Sequence, residues 1–306
     1  EEDPGKVGDV IPLTANSPAD LRLGLLANFG LVQDDGIYEE DGVVDYAYIQ
    51  DEYKAYLKFM NRLYEEQLLD NNMFSHTWEQ FIAKGDRVGV FSTWPIVQVG
   101  FEDPAEALNY PILPPMTSET NDEKLTIGLH EIRRGRAAIT SDNEHPEATM
   151  RWIDHAYSEE GTILSRLGIE GETFEWNEDK TEWHLLSKDG LSTTETNAQH
   201  APGVGTNVPM VLTKDFFDSE GDNPTIHAIN ENISEVLIPY AKVPYPLVYF
   251  TEEEQQTFNT IKFDIDTYFE QMEANFITGA QSIDEGWDEY VQTMLDLGVD
   301  QLIDIH

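Results

Sequence analysis

Residues 51–95 read DEYKAYLKFMNRLYEEQLLDNNMFSHTWEQFIAKGDRVGVFSTWP. From about Gln50 to Leu69 the apolar side chains Tyr53, Tyr56, Leu57, Met60, Leu63 and Tyr64, with Gln67, recur at three-and-four spacing, which predicts an amphipathic helix with one buried stripe. A short second helix carries Trp78, Phe81 and Ile82, a turn follows at Gly85-Asp86, and Val88-Gly89-Val90-Phe91 reads as a buried strand. That strand runs into Ser92-Thr93-Trp94-Pro95. Ligands of open α/β sheets bind outside the carboxyl ends of strands. An indole at that place suits a sugar ring, whose C–H face packs on a π surface while its hydroxyls find polar partners. Phe91, Ser92 and Thr93 lie close enough in sequence to Trp94 to contribute. The competing reading of Trp94 is a core residue that caps the strand.

Working outward, Leu21–Leu31 is a short apolar helix that Gly30 can end, and Val43–Tyr48 alternates like a strand or hairpin arm. Tyr110–Met116 is extended, because its prolines lack the ladder donor and fix φ. Ala137–Thr140 reads as a small-residue strand. A helix opens around His145-Pro146 and runs through Ala148, Trp152, Ile153 and Tyr157 to a stop at Gly161. Phe174–Trp176 and Trp183–Leu186 look like a hairpin, and Asn197–Asp215 like a loop. A long helix spans Glu252 to Thr278 with Gly279 as its stop, and a final helix covers roughly Ile283–Leu297 with Gly298 as cap. Alternating strands and helices predict an α/β architecture.

The chain has 306 residues, enough for one large core or two smaller ones, with two lobes the expected arrangement. Eighteen Lys+Arg against 59 Asp+Glu give a formal net charge of −41, which repels phosphate backbones and excludes nucleic acid as a partner. Anionic membrane surfaces are disfavoured for the same reason. With 40% hydrophobic residues a packed interior is still expected, and the acidity reads as solubility outside the cell. The absence of cysteine removes disulfides, thiolate nucleophiles and Cys-ligated metals together. No apolar run reaches the roughly 18–20 residues of a membrane helix. The chain opens on Glu1-Glu2-Asp3 without a signal peptide, so a processed or truncated piece is expected.

No motif carries a reaction. His130-Glu131-Ile132-Arg133-Arg134 lacks the second histidine of a zinc helix, Pro202–Gly205 neither follows a strand nor precedes a helix, and no Gly-x-Ser-x-Gly elbow is present. Asn232-Ile233-Ser234 is a sequon that chance explains. Close carboxylate pairs, the mark of a glycosidase, arise everywhere in so acidic a chain. Aromatic residues remain. Trp152 and Trp287 sit at helical core spacing and are read as packing, whereas Trp176 and Trp183 on the hairpin can line or seal a cleft; Trp176 joins Trp94 as a ligand-binding candidate.

Four stretches together resemble the extracellular (family 1) solute-binding lipoproteins of carbohydrate ABC transporters, particularly the large alginate- and pectin-oligosaccharide binders: Tyr53–Asp70, Phe81–Trp94, His145–Glu175 and Asp264–Asp300. With the intervening segments the likeness covers nearly the whole chain. It implies a type II periplasmic-binding-protein fold of two α/β lobes closing on a sugar. Residues 1–130 then form the first part of the C-lobe, 131–244 the remaining part of the N-lobe, and 245–306 the closing helices of the C-lobe. Trp94 falls where family members, including the maltodextrin binder, place a stacking tryptophan. Relatives have a long portion before the counterpart of Ile11-Pro12-Leu13-Thr14, so the opening of the N-lobe is expected to be missing here. Some relatives hold calcium in an acidic loop before that stretch; here only Asp3 and Asp9 remain after Glu1-Glu2, which implies a degenerate site.

The resemblance implies a non-catalytic receptor that captures an oligosaccharide and hands it to the transmembrane subunits of an ABC permease. It also implies a monomer, anchored as a lipoprotein on the outer face of the cytoplasmic membrane by a segment outside this chain. The alternative is a secreted polysaccharide-degrading enzyme using a carboxylate pair. A third possibility is a truncated chain with no competent cleft. For uronic-acid ligands, Arg133, Arg134, Arg136 and Arg151 are the cations to consider.

Overall fold

The computed structural model describes residues 10–92, 104–129, 137–203, 208–221 and 224–306. Contacts divide the chain into one unit of Glu1–His130 with Ala228–His306, and another of Glu131–His227. The sequence reading places the return to the first unit near residue 245. The contact division places it at Ala228, because β8 (Ala241–Lys242) pairs in parallel with β5 (Thr126–Ile127) and ties the segment before residue 245 to the first part of the chain.

The first unit opens on β1 (Ile11–Ala15), which pairs in parallel with β4 (Val88–Ser92), Leu13 opposite Val90 and Ala15 opposite Ser92. Between them lie α1 (Pro18–Leu25), a hairpin, and two further helices. The hairpin joins β2 (Ile37–Glu40) to β3 (Val43–Tyr46) through Asp41-Gly42, both at positive φ (52° and 83°), the two-residue turn whose twist matches that of the strands. Helix α2 (Asp51–Glu65) buries Tyr53, Ala55, Tyr56, Leu57 and Met60, the expected stripe. It ends a turn earlier than its periodicity suggests: Gln67 sits exposed at φ 57°, outside the helix. Helix α3 (Trp78–Ile82) starts at a capping box in which Thr77 and Gln80 satisfy each other's backbone N–H groups.

The core of this unit lies between α2 and α9 (Glu252–Thr278), with α10 (Ile283–Asp296) and α11 (Val299–Ile305) packed beside them. From α9 it takes Ile265, Phe269, Met272, Phe276 and Ile277, and from the last helices Trp287, Tyr290, Met294 and Leu302. The bounds of α9 match the sequence reading, since a Thr251–Glu254 capping box opens it and Gly279 closes it in the left-handed conformation at φ 74°. Gly298 does more than end a helix: at φ 107° it redirects the chain into α11, which the sequence reading lacks. Strand β4 is less buried than expected, with Val88 enclosed, Gly89 and Val90 exposed, and Phe91 and Ser92 half-buried. Among the described residues, β1 is the strand that pairs with it.

The second unit contains α4 (Pro146–Ala156), α5 (Glu159–Arg166), the hairpin β6 (Phe174–Trp176) with β7 (Trp183–Leu185), α6 (Thr193–Ala198), α7 (Lys214–Asp218) and the start of α8 (Pro224–Val236). Its small core joins Leu167, Phe174 and Trp183, with Ile163, Trp176, Leu185 and Phe216 around them. The hairpin agrees with the sequence, whereas Ala137–Thr140 forms no strand. The expected single helix to Gly161 is two: α4 ends at Ala156 with Tyr157 as its C-cap, Ser158 caps α5 through the Gly161 N–H, and Gly161 lies inside the second helix. Trp152, expected to pack, is 68% exposed, and α4 buries none of its residues. No described helix is long and apolar enough to cross a membrane.

Candidate functional site

The parallel pair β1–β4 presents the carboxyl ends of both strands on one edge, the place where open α/β sheets bind ligands. Ala15-Asn16-Ser17 leave β1 there and Phe91-Ser92 leave β4. Ser17 N-caps α1, accepting from the Asp20 N–H at 3.3 Å and donating to the Asp20 carboxylate at 2.9 Å. Ser92 donates to the Asp20 carbonyl at 2.7 Å, so β4 is tied to the first turn of α1. A Cβ on Gly24 would stand 2.6 Å from the Ser92 hydroxyl oxygen, and glycine there is what permits the close approach.

Beneath this edge lies a buried polar cluster that joins four segments. The Lys84 ammonium pairs with Asp70, lies 2.6 Å from His76 Nδ1 and reaches the Thr14 hydroxyl at 3.5 Å. Thr14 donates to Asp70 at 2.7 Å, the other Asp70 oxygen caps the Asn72 N–H at 3.0 Å, and the Asp70 N–H bonds the Leu13 carbonyl at 2.9 Å. Burial opposes the Asp70 charge, yet the hydrogen bonds from Lys84, Thr14 and the Asn72 N–H hold its carboxyl below the usual carboxylate value. His76 Nε2 meets the Asn16 carbonyl at 2.9 Å, so the cluster reaches the carboxyl end of β1.

An aromatic run borders the same strands. Trp78 lies 5.5 Å from Phe81, Phe81 6.0 Å from Phe91, and Phe91 5.6 Å from Tyr110, the last two pairs edge to face. Trp78 is the exposed end of the run, at 36%. Sequence reasoning gives neither Trp78 nor His76 a part; the Thr77–Gln80 capping box, which fixes where Trp78 stands, is its available signal. Of the expected ligand residues, Phe91 and Ser92 are brought to this edge, with Ser92 committed to Asp20 and Phe91 packed in the aromatic run. Thr93 and Trp94 lie outside the described residues, as do Arg133, Arg134 and Arg136. Trp176 is in the second unit, half-buried 6.2 Å from Phe174.

A cavity of about 280 Å³ lies elsewhere in the first unit, between Asp35, Tyr245, Phe250, Phe258, Lys262 and His306, and does not touch the β1–β4 edge. No protein-family profile matches the chain. It is 26% identical over 314 residues to the fructooligosaccharide ABC transporter substrate-binding protein FusA of Streptococcus pneumoniae serotype 4, a match covering 97% of this chain and 56% of that protein. In structure it resembles FusA in complex with kestose, with a TM-score of 0.73 at 24% identity over 99% of this chain and 63% of that one. The alginate-binding protein AlgQ2 gives 0.72 at 20% identity, covering 97% and 62% of the two chains. The chain carries the solute-binding-protein fold. An extracellular solute-binding protein from Bifidobacterium longum subsp. infantis extends the likeness, with a TM-score of 0.73 at 18% identity over 99% and 65% of the two chains. The chain spans a little over half the length of the curated relative it matches.

Calcium enters through these relatives: one FusA structure is of an EF-hand mutant, and the AlgQ2 structure is without calcium ion. Here Asp3 and Asp9 lie outside the described residues. Among the described residues no group of three or more His, Asp or Glu is placed to hold a metal ion. A calcium ion takes about six to eight oxygen ligands, more than any cluster of acidic side chains among the described residues brings together.

Proposed function

We propose that the chain belongs to an extracellular receptor that captures an oligosaccharide for import through an ABC permease, without chemical change to the sugar. The observation that supports this best is the carboxyl edge of the parallel pair β1–β4, bordered by the run from Trp78 to Tyr110, in a chain with the solute-binding-protein fold. Aromatic faces take sugar C–H surfaces and neighbouring polar groups take hydroxyls, a division of labour that distinguishes sugar pockets from purely apolar ones. Trp94, two residues past Ser92, serves in this reading as the stacking platform, assisted by Thr93, Ser92 and Phe91; Trp176 is a further ligand-binding candidate.

The first unit acts as the C-lobe and the second as part of the N-lobe. The receptor is a monomer, held at the outer face of the cytoplasmic membrane by a lipid anchor and docking onto permease transmembrane subunits. Asp3 and Asp9 stand as the remnant of a calcium loop. FusA is described in complex with kestose and with fructo-nystose, which makes short fructans the first ligands to try. Titration calorimetry of the full chain with kestose, nystose and alginate oligosaccharides tests the reading. Saturable binding of one class supports it; no heat from any of them, at protein concentrations that would reveal millimolar affinity, overturns it.

A further inference from the structure

We propose that His76, held by Lys84 and Asp70, is a positioning residue that fixes the ligand-facing end of β1 through the Asn16 carbonyl and does so only while its ring is neutral. The proposal rests on the oligosaccharide reading of the β1–β4 edge. An ammonium has three donors and no acceptor, so at 2.6 Å from Lys84 Nζ the His76 Nδ1 must accept. A neutral imidazole accepting at Nδ1 carries its hydrogen on Nε2, and that hydrogen points to the Asn16 carbonyl at 2.9 Å. Lys84 uses its remaining donors on Asp70 and Thr14, which leaves the cluster without a spare group to re-partner. The three side chains are enclosed: His76 is 2% exposed, Asp70 3% and Lys84 7%.

The hydrogen bond to Asn16 fixes more than one atom. Asn16 is the first residue past β1, and Ser17, next to it, caps α1 and engages Asp20, which also receives Ser92 of β4. Pinning Asn16 therefore holds the end of β1 and, through Ser17 and Asp20, ties it to the end of β4. When His76 takes up a proton, the added hydrogen sits on Nδ1 and faces the Lys84 ammonium, turning an attraction into the contact of two cations. The groups that face the ring among the described residues are Lys84 Nζ, the Asp70 carboxylate at 3.8 Å, the Asn16 carbonyl and the Phe81 ring at 5.7 Å. Asp70 is already committed to Lys84, Thr14 and the Asn72 N–H, so charging His76 forces Lys84 away or swings the ring off Asn16.

The test combines nitrogen-15 NMR of the histidine rings with kestose titrations of the full chain and of His76→Gln across the acidic and neutral pH range in which both stay folded. Expected are an Nε2–H tautomer for His76 at the upper pH, assigned by the signal that His76→Gln removes, and weaker kestose binding as the pH falls. His76→Gln is expected to bind about threefold to tenfold more weakly than the wild type at the upper pH, the scale of one lost hydrogen bond, with its pH slope flattened. An Nδ1–H tautomer overturns the proposal, and that measurement needs neither sugar nor variant. A wild type that binds kestose with the same pH slope as His76→Gln also overturns it, and overturns it alone. A wild type that binds no sugar at any pH brings down the oligosaccharide reading and this role with it.

Discussion

Arg22 on α1 and Glu273 on α9, 251 positions apart, form a buried ion pair, their side chains 11% and 2% exposed. Tyr53 donates to the second Glu273 oxygen at 2.9 Å, and the Arg22 guanidinium lies 4.8 Å from the centre of the Phe269 ring and 5.5 Å from that of Tyr48. Burial works against the Arg22 charge, but the Glu273 carboxylate raises its pKa above the ordinary value. The pair joins the helix that follows β1 to the longest helix of the unit, so the candidate edge and the core are one mechanical piece. Removing one member of a buried pair leaves the other charged and unpaired, at a cost of about 3–5 kcal/mol. Arg22→Met and Glu273→Gln are each expected to lower the unfolding free energy, measured by urea denaturation, by an amount on that scale. The double substitution is expected to cost less than the sum of the two. Additive losses in a double-mutant cycle would show that the two side chains are not coupled.

A second prediction concerns alkali. Burial and the nearby Asp45 push the Tyr38 phenol up to about 12, and burial pushes Tyr48 up to about 12 even though Arg22 opposes the shift. Burial raises Tyr46, Tyr53, Tyr56 and Tyr290 as well. Because the folded pKa exceeds the unfolded value of 10.0, these phenols contribute stability that is whole below that value and is lost as the pH climbs through the folded one. Absorbance titration is expected to show the exposed tyrosines ionising first and the buried set only together with the loss of far-ultraviolet dichroism. Ionisation of all 13 tyrosines before any unfolding would contradict the packing around α2.

What the sequence made legible follows from how local each signal is. Helix α9 could be read to the residue because its start and stop are written within a few positions, in the Thr251–Glu254 box and Gly279. The β2–β3 arm and the β6–β7 hairpin were legible through alternation and turn residues. Periodicity misled at Trp152: spacing gives a face to a helix but cannot say whether anything covers that face. Gly161 imitated a helix stop, although what requires glycine is the tight junction of α4 and α5, where a Cβ would stand 2.0 Å from the His155 carbonyl oxygen. The cluster of Asp70, His76 and Lys84 was not legible at all, since its targets Thr14 and Asn16 lie about 60 residues away and no short motif links them.

Helix α9 offers a third prediction. Its capping box satisfies the Glu254 N–H through the Thr251 hydroxyl and the Thr251 N–H through the Glu254 carboxylate at 2.7 Å. Three acids in the first turn, Glu252, Glu253 and Glu254, also complement the positive end of the helix dipole. Thr251→Ala is expected to destabilise the chain by about 1 kcal/mol, and Thr251→Ser to restore it. Chemical denaturation measures both; an unchanged midpoint in Thr251→Ala would mean that the first turns of α9 are frayed and carry no stability.

The oligosaccharide reading divides the tryptophans into those that touch sugar and those that do not. Trp94→Ala and Trp78→Ala are expected to weaken binding by about 1–3 kcal/mol each, the scale of a lost aromatic platform. Trp78 is the finer test: its ring is exposed and its helix is capped independently by Thr77 and Gln80, so Trp78→Ala is expected to keep the fold. Trp152→Ser, on a helix that buries none of its residues, is expected to leave affinity unchanged and serves as the control. Calorimetry with whichever sugar binds the wild type decides among them. If Trp152→Ser weakens binding while Trp78→Ala does not, the sugar sits away from the β1–β4 edge. The aromatic run then serves only to pack α3 against β4, as the contact of Phe81 with Phe91 already does.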